Sequence, residues 1–176
     1  MLLIGGGGRT GTISGGCLEV EVQKKAWWLT RSGATWQVTV VDGRSHLATK
    51  ERFPLADQVV SSRSLNDLRL TERSAAVILT HSYEQGRAVL QALLPRDLAY
   101  LGILGPRRRT ERLLTEVAPE IGRTVKECFP RLHSPVGLAI GAKNPAGIAL
   151  AIVAEIRDVI EKQSVKIPKC ASLTHV

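Results

Sequence analysis

The sequence has 176 residues, of which 44% are hydrophobic, enough for one buried core and a small appendage but not for two large domains. Its longest apolar stretches, such as residues 146–154, fall well short of the roughly 20 residues that a membrane-spanning helix needs. The formal net charge of +8 favours anionic partners, but an aromatic content of 4% is low for a nucleic-acid-binding surface. The composition therefore predicts neither a membrane nor a nucleic acid as partner.

The amino terminus carries no pattern of a secretory leader, because Met1 is followed within a few residues by the glycine run Gly5–Gly8. The three cysteines have no paired spacing, which suits a reducing compartment better than a disulfide framework. We therefore expect a cytoplasmic protein.

The first half of the chain predicts a helix and then a strand. From Leu18 to Leu29, apolar residues recur at helical spacing between charged ones. Trp36 to Val41 is rich in β-branched and apolar residues, as a buried strand should be, and Asp42-Gly43-Arg44 ends it.

The second half alternates short strands with helices. Three further apolar stretches predict strands: Gln58–Val60, Ala75–Thr80 and Ala99–Leu104. Ser82, followed three residues later by Gln85, predicts the start of the helix between the last two strands. This alternation is typical of an α/β fold with a parallel sheet and helices on its faces.

Two prolines mark the remaining helix starts. Pro106 lies where the first helical turn would begin after the strand that ends near Leu104. Asn144-Pro145 combines a capping residue with proline at the first helical position, and predicts a long helix that runs to Lys162.

The glycine pattern Gly6–Gly11 formally matches a dinucleotide-binding turn, but only a short apolar run precedes it and further glycines delay a helix. Asp42, at the end of a predicted strand, lies where an acidic residue accepts hydrogen bonds from a ribose. The alternative is that Asp42 stabilises its own Asp-Gly turn. Both roles for Asp42 stay open.

Gly102 to Arg109 is the better anion site. A strand end would deliver Gly105 and a helix amino terminus together with the arginines that follow Pro106, and all of these groups favour phosphate. Arg107 and Arg108 are the candidates for contacting it; the alternative is that an arginine lies on a solvated face.

Cys17 follows Gly15 and Gly16 at the start of the first predicted helix, where the helix dipole favours thiolate; the alternative is a small buried thiol. His81 and His133 both follow apolar runs and could face one crevice at the carboxyl edge of the sheet. No histidines or carboxylates have metal-ligand spacing, and no nucleophile has an identifiable base. The residues favour ligand binding over catalysis.

Six motifs in order resemble the XdhC/CoxI family, the accessory factors of xanthine dehydrogenase and carbon monoxide dehydrogenase. The matching segments are Gly11–Glu19, Val40–Arg44, Phe53–Asp57, Thr80–Tyr83, Tyr100–Arg109 and Leu132–Gly141.

The resemblance implies a bacterial cytosolic maturation factor rather than an enzyme, with a Rossmann-like parallel sheet flanked by helices. Such a factor binds molybdenum cofactor (a molybdopterin), works with a cysteine desulfurase during sulfuration, and passes the product to a xanthine dehydrogenase-type apo-enzyme. Cys17 would contact the metal or its sulfur. The candidate cofactor-binding residues are Gly15, Gly16, Cys17, Asp42, His81, Gly105, Arg107, Arg108 and His133.

The sequence departs from the family in one place, since the long segment that usually separates the cysteine helix from the Val-Asp strand is missing. That segment holds the first Rossmann strand and its phosphate turn, so NAD(P) binding by the usual mode is disfavoured. We expect residues 1–33 to be a glycine-rich and helical remnant, 34–163 the Rossmann-like domain and 164–176 a flexible tail. Residues 2–4 could supply an edge strand, or two chains could pair at the exposed sheet edge as a homodimer.

Two alternatives to the maturation factor are an NAD(P)-binding Rossmann oxidoreductase that uses Gly6–Gly11 and Asp42, and a degenerate remnant that binds only a partner protein.

Overall fold

The computed structural model describes residues 2–6, 18, 20–22, 24–25, 36–61, 65 and 68–164. Its strands are β1 Leu2–Gly6, β2 Trp36–Asp42, β3 Gln58–Ser61, β4 Ser74–Ile78 and β5 Tyr100–Ile103. Its bounded helices are α1 Tyr83–Leu93, α2 Arg107–Glu120, the short α3 Val125–Cys128 and α4 Pro145–Ser164, with a 3-10 turn Phe129–Arg131 after α3. None of the helices within these ranges is long and apolar enough to cross a bilayer.

The five strands form one sheet in the order β3-β2-β1-β4-β5. Strand β2 is parallel to β3, β4 is parallel to β5, and β1 is antiparallel to both β2 and β4. Strands β2 to β5 therefore all run in one direction. We call the edge at which they end the carboxyl edge and the opposite one the amino edge. The predicted α/β fold class with a Rossmann-like sheet is confirmed.

Strand β1 occupies the centre of the sheet, so the expected edge strand is wrong. Leu2 pairs with Val40 on one side and Val77 on the other. The strand order is that of a doubly wound Rossmann sheet, but the central strand runs opposite to its neighbours. The amino-terminal residues thus fill the position left by the missing first Rossmann strand.

The predicted strands and helices are confirmed within one or two residues at most ends, and α3 was missed. The described residues between 18 and 25 are helical, as expected. Ser82 caps α1, accepting a hydrogen bond from the backbone N–H of Gln85, and Asn144 Oδ1 accepts one from Gly147 at 2.7 Å at the start of α4. Pro106 is the residue that precedes α2 rather than its first residue.

The sheet is buried on both faces, because alternate residues of β4 point into different core clusters. Ala76 and Ile78 belong to the cluster beneath α1 and α2. Ala75 and Val77 belong to the cluster beneath α4, which also contains the fully buried Val22 of the amino-terminal helical residues. Because both faces of the sheet are covered, loops and helix ends reach solvent at its carboxyl and amino edges.

His133 extends the sheet beyond β5. Its N–H donates to the carbonyl of Leu101 and its own carbonyl accepts from Ile103, so it pairs in parallel with Gly102. A Cβ at Gly102 would lie 2.6 Å from Val136 Cγ2 and 2.8 Å from the Tyr100 ring. Glycine is therefore needed where β5 meets this added strand. The division of the chain at residues 33 and 163 stays a prediction.

Candidate functional site

The carboxyl edge collects the loops that follow β2, β4 and β5. Asp42 ends β2, Thr80–Ser82 follow β4, and Leu104–Pro106 lead from β5 into α2. Helices α1 and α2 both begin here, so the positive ends of their dipoles meet at this edge. Such an edge is where ligands bind in open α/β sheets.

Arg109 holds the loops after β4 and β5 together. Its guanidinium donates to the carbonyl of Leu104 at 3.1 Å, to that of Thr80 at 3.0 Å and to that of Ser82 at 3.1 Å. Burial lowers the pKa of Arg109 from its ordinary value. The side chain passes Gly86, where a Cβ would lie 2.9 Å from Nη2. Arg109 therefore has a structural role in shaping the edge, which the sequence did not distinguish from a role in binding.

The turn from β5 into α2 has the geometry expected of an anion site. Gly105 has a φ of +129°, which glycine adopts readily, and α2 begins without a side-chain cap. The first backbone N–H groups of a helix have no acceptor four residues earlier in the helix. At the start of α2 the Arg109 N–H donates to the Pro106 carbonyl, and those of Arg107 and Arg108 are the ones that could bind a ligand. Gly105 thus lies in the turn between β5 and α2, and its role in binding stays a prediction.

Arg107 and Arg108, next to Arg109 in sequence, are both exposed but differ in their contacts. Arg107 pairs with Glu111 at 3.0 Å, and its guanidinium lies 4.7 Å from the centre of the Phe129 ring. Arg108 makes no ion pair or side-chain hydrogen bond with the described part of the chain. Arg108 is therefore the arginine best able to bind an anion at this helix start.

Asp42 is buried and already paired, with 3% of its surface exposed. Its Oδ1 accepts from the backbone N–H of Arg44 at 3.0 Å, and its Oδ2 pairs with the Arg44 guanidinium at 2.7 Å. These contacts match the turn-stabilising alternative for Asp42. A ribose could reach this carboxylate only after Arg44 moved away.

The glycine run leaves the sheet at the opposite edge from Asp42. Gly6, its last described residue, pairs with Trp36 at the start of β2, and Gly5 pairs with Ser74 at the start of β4. A dinucleotide phosphate turn lies at the carboxyl edge instead. Gly6 therefore does not lie near Asp42, and residues 7–11 lie outside the described residues.

His81 and His133 are not brought together. His81 is exposed in the loop after β4, at the carboxyl edge. The His133 ring stacks on Tyr100, the first residue of β5, with ring centres 4.2 Å apart, and its Nδ1 lies 3.3 Å from Glu155 of α4. The expectation that both histidines face one crevice is wrong, because His133 points toward the amino edge.

Glu155 of α4 contacts three groups: the Tyr100 hydroxyl, the Gly137 N–H and the His133 ring. One carboxylate oxygen accepts from the Tyr100 hydroxyl and from the backbone N–H of Gly137 at 2.8 Å, while the other faces His133. Burial, and then this contact with Glu155, raise the pKa of Tyr100 above its ordinary value. No sequence pattern pointed to this cluster, because its members come from separate elements.

Gly15, Gly16 and Cys17 lie outside the described residues, so their predicted role at the ligand stays a prediction. Within the described ranges, no three His, Cys, Asp or Glu side chains are grouped as metal ligands would be. Of the predicted ligand-binding residues, Asp42, His81, Gly105, Arg107 and Arg108 lie at the carboxyl edge, and Asp42 is paired there with Arg44.

Comparison with known proteins gives one matching family model and several relatives. A family model described as the XdhC Rossmann domain matches residues 24–156. A Bacillus subtilis (strain 168) protein, named as a probable xanthine dehydrogenase subunit, is 36% identical over 124 residues, an alignment covering 69% of this chain and 35% of that protein. The Escherichia coli (strain K12) protein YqeB is 29% identical over 126 residues, which cover 70% of this chain and 23% of that protein.

A solved structure shares the fold as well. A crystal structure of a xanthine dehydrogenase from Bacillus halodurans matches with a TM-score of 0.73 and 26% identity, covering 92% of this chain and 45% of that one. The chain therefore spans less than half the length of each of these relatives. The resemblance inferred from the sequence motifs is confirmed.

Proposed function

Since this chain belongs to the XdhC Rossmann domain family, we propose that it is an accessory factor that binds molybdenum cofactor for a xanthine dehydrogenase-type enzyme. Two of its relatives, from Bacillus subtilis and Bacillus halodurans, carry xanthine dehydrogenase in their names. In this role the protein receives the cofactor, holds it during sulfuration by a cysteine desulfurase, and passes it to the apo-enzyme. It binds and protects its cargo and catalyses no reaction of its own.

The observation that carries the proposal is the exposed Arg108, which has no ion-pair partner among the described residues, beside the amino terminus of α2, which has no side-chain cap. Molybdopterin carries a phosphate, and helix N–H groups with a guanidinium form a fitting donor set for it. Gly105 lets the backbone turn at this point, and Arg109 fixes the loop against the one after β4. The residues present thus fit the phosphate end of the cofactor.

The metal end of the cofactor would need a soft donor, and we assign that contact to Cys17. A thiolate is the protein ligand best matched to a soft metal-sulfur centre. Gly15 and Gly16 would allow close approach of the backbone, as the family resemblance implies. His81 is a further candidate at the carboxyl edge, whereas Asp42 is held by Arg44 and His133 points elsewhere.

The proposal is tested by adding released molybdenum cofactor to the protein, desalting, and measuring retained pterin by fluorescence after oxidation. We expect stoichiometric pterin in the parent protein, and its loss in Cys17→Ala. Arg108→Gln should weaken retention about tenfold, because it removes one charge-assisted hydrogen bond. Retention by Cys17→Ala equal to the parent would remove the cysteine from the site.

Arg112→Gln is the matched control for Arg108→Gln. Arg112 lies on the same helix, makes the same change in charge when replaced, and pairs with Glu116 away from the helix start. Its pterin retention should equal that of the parent protein. Absence of pterin from the parent would overturn the cofactor proposal and leave the protein-binding remnant as the better hypothesis.

An NAD(P)-binding oxidoreductase is the alternative from another class. It requires the glycine run and Asp42 to act together, whereas Gly6, the last described residue of the run, lies at the opposite edge from Asp42, and Asp42 is paired with Arg44. Titration of the protein into reduced nicotinamide cofactor distinguishes the two hypotheses. Saturable quenching or enhancement of the nicotinamide fluorescence would favour the alternative.

We keep a cytoplasmic homodimer as the proposed state of the protein. The exposed outer edge of β3 could pair with the same strand of a second chain. A monomer in sedimentation at micromolar concentration would contradict the dimer.

A further inference from the structure

A cavity opens at the amino edge of the sheet, whereas α2 begins at the carboxyl edge. It has a volume of about 220 Å³ and lies between the loop that precedes β5, the segment around His133, and Val159 of α4. Ligand pockets for drug-sized molecules run from about 300 to 1,000 Å³, so this one suits a smaller molecule. Nothing in the proposed function uses this cavity.

The wall of the cavity contains a histidine whose orientation is fixed. His133 lies between the Tyr100 ring and Glu155, and its Nδ1 faces the Glu155 carboxylate at 3.3 Å. Glu155 is itself held by Tyr100 and the Gly137 N–H. A carboxylate behind one ring nitrogen keeps a proton on that nitrogen and directs the other outward. Nε2 of His133 is therefore the nitrogen available to a ligand.

The charged groups around the cavity are mostly positive. Arg131 and Arg96 both line it, and the one carboxylate among the lining residues, that of Asp97, is 91% exposed. Arg96 is engaged with backbone, since its Nε donates to the Ala92 carbonyl at 3.2 Å. Arg131 donates with Nη2 to the carbonyl of Arg96 at 3.0 Å, and the same nitrogen lies 3.8 Å from the exposed carboxylate of Asp97. An exposed ion pair of this kind is weak, so an anion in the cavity can compete with it, and the other N–H groups of Arg131 can donate to that anion as well.

We infer that this amino-edge cavity binds a small oxyanion, a carboxylate or a phosphate, between the Nε2 of His133 and the guanidinium of Arg131. An arginine fork matches the oxygens of such an anion, and so does the imidazolium form of His133, in which Nδ1–H faces Glu155 and Nε2–H can donate to the anion. Glu155 acts as a positioning residue, because it orients His133 without lining the cavity. This site is independent of the molybdenum cofactor proposed for the carboxyl edge.

The inference is tested by following the histidine ring resonances in NMR while inorganic phosphate or acetate is added at constant ionic strength. His133→Gln assigns the His133 resonance among the four histidines. We expect a saturable shift of that resonance with at least one of the two anions. Saturation with phosphate alone identifies a phosphate site, and saturation with acetate identifies a carboxylate site.

Variants of Arg131 and Arg108 show whether the shift reports binding at this cavity. Arg131→Gln should weaken the apparent affinity about tenfold or more, because it removes a charge-assisted contact. Arg108→Gln changes charge equally at the other edge and should leave the affinity unchanged. If Arg131→Gln does not fold, Arg131→Lys, which keeps the charge but not the fork, should bind with intermediate affinity.

Three outcomes would overturn the inference. The first is a shift that stays linear and equals that produced by chloride. The second is unchanged affinity in both Arg131 variants. The third is an equal loss of affinity in Arg108→Gln, which would place the anion at the carboxyl edge. None of these outcomes depends on whether the protein retains molybdopterin.

Discussion

The two edges of the sheet each carry one arginine that donates to three backbone carbonyls and one that does not. At the carboxyl edge, Arg109 donates to three carbonyls, while Arg108 is exposed and pairs with none of the residues that the structure describes. At the amino edge, both arginines line the cavity, but Arg96 donates to the carbonyls of Ala92, Leu68 and Leu65, while Arg131 donates to one carbonyl and pairs with the exposed Asp97. Backbone acceptors, rather than neighbours in sequence, therefore decide which arginine is structural.

The largest expected effect is a difference in the free energy of unfolding between variants of Arg109 and of Arg108. Arg109→Met removes the side-chain donor from the carbonyls of Leu104, Thr80 and Ser82, of which Ser82 still accepts from the Gly86 N–H. We expect a loss of about 2 to 4 kcal/mol in the free energy of unfolding. Arg108→Met should change that free energy by less than about 0.5 kcal/mol, as is usual for an exposed side chain. Urea denaturation of both variants measures the difference. Equal stabilities would break the distinction between the two arginines.

The second expected effect concerns the amino edge and depends on pH. The folded state raises the pKa of Tyr100, mainly through burial and then through Glu155. The contribution of Tyr100 to the free energy of unfolding is therefore fully present below the unfolded tyrosine pKa of about 10. It is lost as the pH rises above that value, because the unfolded chain releases a proton that the folded chain retains.

Tyr100→Phe isolates that contribution. The variant should lose about 1 to 2 kcal/mol at pH 8, since a buried hydrogen bond to a charged group disappears. The difference in unfolding free energy between parent and variant should then shrink as the pH is raised through about 10 to 11. Other groups that titrate in this range, including Tyr83, cancel in the difference. A difference that is independent of pH would show that Tyr100 ionises as readily in the folded state as in the unfolded one.

Most of the fold could be predicted from local patterns. Val38, Val40 and Val41 lie in a short apolar run, and Ser82 and Asn144 carry the side-chain oxygens that helix starts require. Each of these signals is confined to a few neighbouring residues. The position of β1 could not be found in this way, because a short apolar run does not encode which strands it pairs with or in which direction.

The candidate site was predictable only in part, for a related reason. The turn at Gly105 and the helix start after it are adjacent in sequence, and the structure keeps them adjacent. His133 and Glu155 are distant in sequence and meet only because α4 returns across the sheet. The pairing of Asp42 with Arg44 was open to sequence reasoning as a turn, but its burial was not. Contacts between distant elements decided what local motifs left open.

The smallest expected effect tests whether the two edges are coupled through α4. This helix begins after Asn144 at the carboxyl edge and contributes Glu155 to the His133 cluster near the amino edge. Asn144→Ala removes the hydrogen bond from Gly147 and should cost about 1 kcal/mol, whereas Ser82→Ala, whose bond to Gln85 is longer at 3.3 Å, should cost less. Because a lost cap loosens mainly the first helical turn, the His133 ring resonance should stay unchanged in Asn144→Ala. A shifted resonance would mean that α4 transmits changes from one edge to the other, and the two arginine sites would then have to be treated as one coupled system.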